Sequence, residues 1–217
     1  MLDLIQTRGD AGLAKIAYLE LKDVIKRTPG PEKDDNYYLF VESECAWEKC
    51  GLGRLRIVIS DALERVMADV ATYYDIKVSI ESDPAKRRTL LDLKVKAAKT
   101  REFVCSSPGI NRVLNMGAAL FTDNAFEENL DRHRHLLGVR NGVVDLRTGA
   151  LRDRTPDDCI YTIVDCVYDE RADTSLMHGT VLASMESMAT FMQKLLGYMI
   201  TGEVSEEIFV VFTGSGR

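Results

Sequence analysis

Residues 136–158 read LLGVRNGVVDLRTGALRDRTPDD. Asn141-Gly142 stands between the branched runs LLGV and VVDL, and this dipeptide supplies the φ > 0 that both central positions of a two-residue hairpin turn require. Thr148-Gly149 marks a second reversal before Ala150 and Leu151. The stretch therefore predicts a three-stranded antiparallel meander. Alternation continues through IYTIVDCVY, Ile160 to Tyr168, and predicts a further strand.

Most of the remaining chain has helical spacing. From Gly12 to Arg27, Leu13, Ile16, Ala17, Leu21, Val24 and Ile25 recur as one face of a short helix, which TPGPEKDDN ends in a loop. YYLFV, Tyr37 to Val41, reads as a strand. Trp47 follows, before a break at Gly51 and Gly53, and is expected to close a small β element over the helices; stacking on a ligand is the alternative. RLRIVISDALERVMADVATYY sets Leu55, Val58, Ile59, Ala62, Val66, Val70 and Tyr73 on one stripe of a long helix. A second helix is predicted over Pro84 to Lys99, capped by Asp83, with Leu90, Leu91, Leu93 and Val95 buried. A third starts at Ser107-Pro108 and turns Leu114, Ala118 and Phe121 inward. After the meander, TSLMHGTVLASMESMATFMQKLLGYMITG is helical, with Met185, Met188 and Met192 filling a core. EIFVVFTGSGR then reads as a strand entering a glycine-rich turn at Gly214. The fold class is α+β: a mainly helical domain with a small antiparallel β-meander, then a helix and a terminal strand.

Composition narrows the function. No run of about 18 apolar residues would span a membrane, and MLDLIQTRGD has neither the basic start nor the apolar middle of a signal peptide, so an intracellular, reducing setting is expected. The cysteines at 45, 50, 105, 159 and 166 form no CxxC pair and no even framework, and are read as buried or half-buried free thiols. His133 and His135 are too poorly spaced to expect a metal site. Asp145, Asp153, Asp157, Asp158 and Asp165 raise metal chemistry as a further reading, against which turn and strand-edge aspartates ordinarily face solvent.

The net charge of −6 argues against a wholly basic nucleic-acid footprint, yet the charge is uneven. Residues 54–115 carry 12 basic and 8 acidic side chains, while residues 116–217 carry 9 and 16. Within the basic third, Lys86, Arg87, Arg88, Lys94, Lys96, Lys99 and Arg101 share one predicted helix, and several cations on one helix can neutralise several phosphates. Lys86, Arg87, Arg88, Lys94, Lys99 and Arg101 are the candidate nucleic-acid contacts; a merely solvated face remains open.

The order of these pieces resembles the poxvirus-type viral and phage primase-helicases. YYLFVESECAW, the meander and FMQKLLGYMITGEVSEEIFVVFTGSGR look like the region that precedes their superfamily 3 ATPase core, of the AAA+ class, and the likeness covers roughly Tyr37 to Arg217. The resemblance implies that Gly214, Ser215, Gly216 and Arg217 begin the phosphate loop GxxxxGK[ST], broken off before its lysine and hydroxyl residue. It also implies segments at 1–36 (helix and loop), 37–175 (a collar-like domain) and 176–217 (linker helix and start of the ATPase). The fragment is then expected to have no catalytic residue and no cofactor of its own, with ATP and magnesium belonging to the intact parent. Implied partners are DNA, like subunits in a hexameric ring and a primase domain or protein; if the source is viral, the site is host cytoplasm or a replication site. The competing expectation is a self-standing oligomerisation or interaction module without an ATPase.

Overall fold

A computed structural model describes residues 9–30, 35–211 and 213. Its described residues divide into two compact units, one comprising those up to Val41 with Trp47–Glu127, the other Glu42–Ala46 with those from Glu128 onward. The division at 127/128 falls inside the segment 37–175. Gly214–Arg217 and part of the predicted loop, residues 31–34, lie outside the described residues.

In the first unit, α1 spans Gly9–Leu21 and buries Leu13, Ile16, Ala17 and Leu21. It ends earlier than its apolar spacing suggests. Ile25–Pro29 forms β1, antiparallel to β2 (Asp35–Val41), so Ile25 is buried from a strand and faces Leu39 across the register. A branched residue has the same hydrophobic value on either element; the cross-strand partner, distant in sequence, decides. β3 (Ala46–Cys50) completes the sheet in the order β1-β2-β3. Glu127 closes one end of it, accepting hydrogen bonds from Thr28 Oγ1 (2.6 Å), Asn36 Nδ2 (2.8 Å) and Tyr38 Oη (2.8 Å). These three donors hold its carboxyl below the usual glutamate range.

The long helix α2, Leu52–Ile80, buries Leu55, Ile59, Ala62, Leu63, Val66, Met67, Val70 and Tyr74. Tyr74 takes the place expected for Tyr73, because the buried line advances by four residues from Val70 rather than three. The second long helix, α3 (Pro84–Val104), outruns its predicted end by a turn, and Asp83 caps it as expected, accepting from Ala85 N at 2.9 Å. Its inner side differs from the prediction. Only Ala97 and Val104 are fully buried, Leu90 and Leu93 are half-buried, and Leu91 and Val95 face solvent. α4, Ser107–Gly117, is capped by Ser106, one residue before the expected cap, through Gly109 N to Ser106 Oγ at 3.2 Å. Its deepest residues are Ile110 and Val113, with Leu114 half-buried beside them and Phe121 buried beyond the helix end.

The second unit holds the meander. β4 (Leu136–Val139), β5 (Gly142–Asp145) and β6 (Ala150–Arg152) pair antiparallel in that order. The first reversal is one residue out of the predicted register: Val139 pairs Gly142, leaving Arg140 and Asn141 as the loop. Asn141 is not among the residues with positive φ, whereas Gly142 has φ +152° and Gly149 φ +74°. A Cβ on Gly142 would stand 2.4 Å from Arg152 O, so Gly142→Ala is expected to cost about 1–3 kcal/mol, read as a lowered urea midpoint. Gly149→Ala should cost less, because its nearest non-local atom, Tyr168 Oη, is 3.7 Å away.

The strand predicted over Ile160–Tyr168 is reduced to one parallel bridge, Val139 to Val164. Side chains take over the hydrogen bonding that a ladder would supply. Asp131 accepts from Tyr161 N (2.8 Å) and Thr162 N (3.1 Å), and Asn141 exchanges two bonds of 2.9 Å with the Tyr168 backbone. The helical region after it is irregular: Ser175–Met177 (α5), a π turn at His178–Leu182, a 3-10 stretch at Ala183–Met188, then α6 at Ala189–Met199. Met192 packs with Leu182 and Leu195, and Met185 lies against them, but Met188 is exposed. Residues 208–211 form no strand, and Phe209 is 89% exposed. A strand needs a pairing neighbour, and none runs beside this stretch among the described residues.

Candidate nucleic-acid interface

α2 and α3 lie against each other as an antiparallel pair, and this pairing sorts the basic residues of α3. Lys94 Nζ is bonded to Asp75 Oδ1. Arg101 binds Glu64 Oε1 through Nη2 at 2.5 Å and Nε at 3.1 Å, which lowers the Glu64 carboxyl below its ordinary range. Two of the six predicted contacts are thus tied to carboxylates. At 3.6 residues per turn, Arg88 and Lys99 share a side that lies roughly 140° from the Lys94 and Arg101 side. Arg87 falls with the latter. Lys86 lies above the line of Ala97 and Val104, at the solvent-exposed start of the helix. The cations encircle the helix, and no single face collects them.

Part of the basic set does converge. A cavity of about 350 Å³ opens beside α3, lined by Lys96, Lys99 and Phe103, by Asp10 and Leu13 of α1, and by Arg112 of α4. The Arg112 guanidinium lies over the Phe103 ring, 5.8 Å from its centroid. Arg112 escapes a reading of the α3 sequence because its place depends on the α3–α4 turn. Gly109 permits that turn's close approach: a Cβ there would meet Phe103 O at 2.0 Å.

Three of the five aspartates that raise metal chemistry, Asp145, Asp158 and Asp165, are paired with arginines. Asp158, expected to face solvent, is 7% exposed and bound by Arg152 and Thr155. Asp145 is held by Arg147, whose side-chain bonds bring its carboxyl to about 2. Cys45, Cys50 and Cys159 are half-buried, whereas Cys105 and Cys166 are exposed, contrary to the expectation for thiols. The rings of His133 and His135 meet edge to face, with centroids 6.0 Å apart. Among the described residues, no group of three or more His, Cys, Asp or Glu is placed to hold a metal ion, and no helix is long and apolar enough to cross a membrane.

The family described as "D5 N terminal like" matches residues 32–193. The chain belongs to this family. Two of the stretches that suggested viral primase-helicases, YYLFVESECAW and the meander, lie inside the matched residues; most of the third follows them. A relative from Acanthamoeba polyphaga mimivirus, "Putative helicase L207/L206", is 38% identical over 112 residues. That match covers 49% of this chain and 12% of the relative. The family assigns this chain to the N-terminal regions of viral primase-helicases, with the α+β, mainly helical fold expected.

Proposed function

We propose that this chain is a non-catalytic N-terminal region of a viral or phage DNA-replication primase-helicase, which helps subunits assemble into a hexameric ring and positions DNA or a primase. The observation that carries the reading is the family match across both compact units, joined to a relative whose name is that of a helicase. In this reading Gly214, Ser215, Gly216 and Arg217 begin the phosphate loop of a superfamily 3 ATPase, which uses ATP and magnesium. Assembly has a physical basis in the exposed apolar side chains of the long helices. Ile76 and Ile80 on α2 are 57% and 67% exposed, one turn apart, beyond the residues that make the core.

The reading predicts concentration-dependent self-association and salt-sensitive, sequence-indifferent DNA binding, with no ATP turnover above buffer. Light scattering after size exclusion, DNA titration and a phosphate-release assay measure the three. A chain that stays monomeric at every concentration and ignores DNA would overturn the reading, and turnover surviving removal of contaminants would show that the region is itself catalytic.

A further inference from the structure

We propose that the outer face of α3 docks against the same face of a second copy of this chain, with the two helices antiparallel about a two-fold axis at Val95. Leu91 and Val95 are 44% and 54% exposed, and Ala98, the next residue on their line, is exposed as well. These three form one stripe at 3.6 residues per turn, turned roughly 150° away from the line of Leu93, Ala97 and Val104 that packs inside the first unit. Arg88 continues the stripe at one end and Glu102 at the other. Neither makes an ion pair among the described residues, in contrast to Lys94 and Arg101, which are matched by Asp75 and Glu64.

The charge pattern commits this face to its own copy. Arg88 and Glu102 each lie seven residues from Val95, about 10 Å along the helix, so an antiparallel pairing centred there brings Arg88 of each copy level with Glu102 of the other. The flank repeats the match. Asp92 lies three residues before Val95 and Lys99 four after it, exposed on the same side of the stripe, so each Asp92 comes beside the second copy's Lys99. In the middle Val95 meets its own equivalent, and Leu91 sits beside the small Ala98, which lets the helices approach. A parallel pairing would instead set each charge beside its like. The face is therefore self-complementary when antiparallel, as an isologous contact requires. A single helix face offers little area, which makes the pairing weak and reversible. Such a two-fold contact goes beyond the ring assembly proposed above, because it joins copies in pairs and does not by itself close a ring of six.

The test is sedimentation equilibrium of the chain over a concentration series at low salt. Arg88→Glu and Glu102→Arg are each expected to weaken self-association about tenfold, because each sets a like-charged pair at both ends of the contact. An equimolar mixture of the two variants should associate as tightly as the parent, since pairing one with the other restores both matches. The loss in either variant alone should shrink at high salt. Circular dichroism checks that the variants are folded. If either single variant fails to fold, the double variant Arg88→Glu/Glu102→Arg, expected to pair like the parent, is compared with Val95→Glu, expected to lose pairing by placing two carboxylates on the axis. If the single variants self-associate like the parent, or the mixture is no tighter than either alone, the contact is overturned while assembly through another surface stands. A double variant that pairs no better than Val95→Glu overturns it too. A parent that stays monomeric at every concentration overturns it and the assembly reading with it. Variants that lose affinity for a mixed-sequence oligonucleotide while self-associating like the parent would assign the face to phosphate and overturn the proposal.

Discussion

Replacing Trp47 by alanine is expected to destabilise the first unit by about 3–5 kcal/mol, the range for emptying an aromatic site in a packed core. The indole is 1% exposed. It meets Phe126 edge to face at 4.7 Å and Phe40 at 5.6 Å, and Phe126 in turn meets Tyr38 at 5.3 Å. β2 and β3 supply three of these rings, and Phe126 comes from the segment that leads out of the helices. Loss of the indole therefore leaves a void where sheet and chain return meet. Such rings contribute beyond their buried area, by about 0.5–1.5 kcal/mol per pair. Trp47→Phe should recover part of the loss by keeping a ring in the cluster. Urea unfolding followed by circular dichroism measures both variants; a loss below about 1 kcal/mol for Trp47→Ala would show that the cluster collapses around the void.

This aromatic cluster also marks what sequence can and cannot reveal. Trp47 is legible as core because a single indole beside YYLFV has more to gain from burial than from stacking on a ligand. Its partner Phe126 is not, since nothing between residues 47 and 126 signals their contact. The same boundary explains the other differences. Ile25 has helical spacing behind Leu21 but answers to a strand partner, Leu39. Leu91 and Val95 look like core on a helical wheel, yet α2 and α4 contact another side of α3, and the pattern alone does not say which side. Turn chemistry was legible to within one residue: glycine at 142 and 149 bends the meander, with Arg140-Asn141 as the first loop.

For the candidate interface, the sequence revealed that cations are concentrated on one helix, but not which ones are occupied. Glu64 and Asp75 are separated from Arg101 and Lys94 by 37 and 19 residues, and only the pairing of two helices joins them. The convergence of Lys99 with Arg112 is hidden for the same reason, across the turn at Ser106. Charge composition is thus a guide to the element, while tertiary packing decides which members remain available to an anion.

Asp158→Ala is expected to cost about 2–4 kcal/mol in the second unit, more than the loss of one ordinary hydrogen bond, because four bonds end on this carboxylate. Arg152 forms a fork with it, Nη1 to Oδ2 at 2.8 Å and Nη2 to Oδ1 at 2.5 Å. Thr155 donates to Oδ2 through N at 2.8 Å and Oγ1 at 3.1 Å, completing a capping box on the short 3-10 turn Pro156–Asp158. Burial raises the acid's pKa, but the Arg152 and Thr155 bonds outweigh it and leave the carboxyl below its ordinary range. A depressed carboxylate stabilises the fold above its unfolded pKa of about 3.9, and that contribution disappears as pH falls through the folded value. The difference in stability between parent and Asp158→Asn should therefore be largest at neutral pH and shrink below about pH 4. A difference that stays constant with pH would assign the loss to shape rather than to the ionised fork. The effect should spread along the chain, because Arg154 lies between the two partners and is itself buried, its Nη2 bonded to Glu44 O and held at 3.5 Å from Arg140 O. No carboxylate pairs with Arg154 among the described residues, and burial lowers its pKa, so its position depends on the backbone that Asp158 fixes. Releasing that backbone lets the guanidinium reach water, where it is better solvated than in the fold. The destabilisation by Asp158→Ala should accordingly fall short of the sum of Arg152→Ala and Thr155→Val, and a combined set of these variants measures the shortfall.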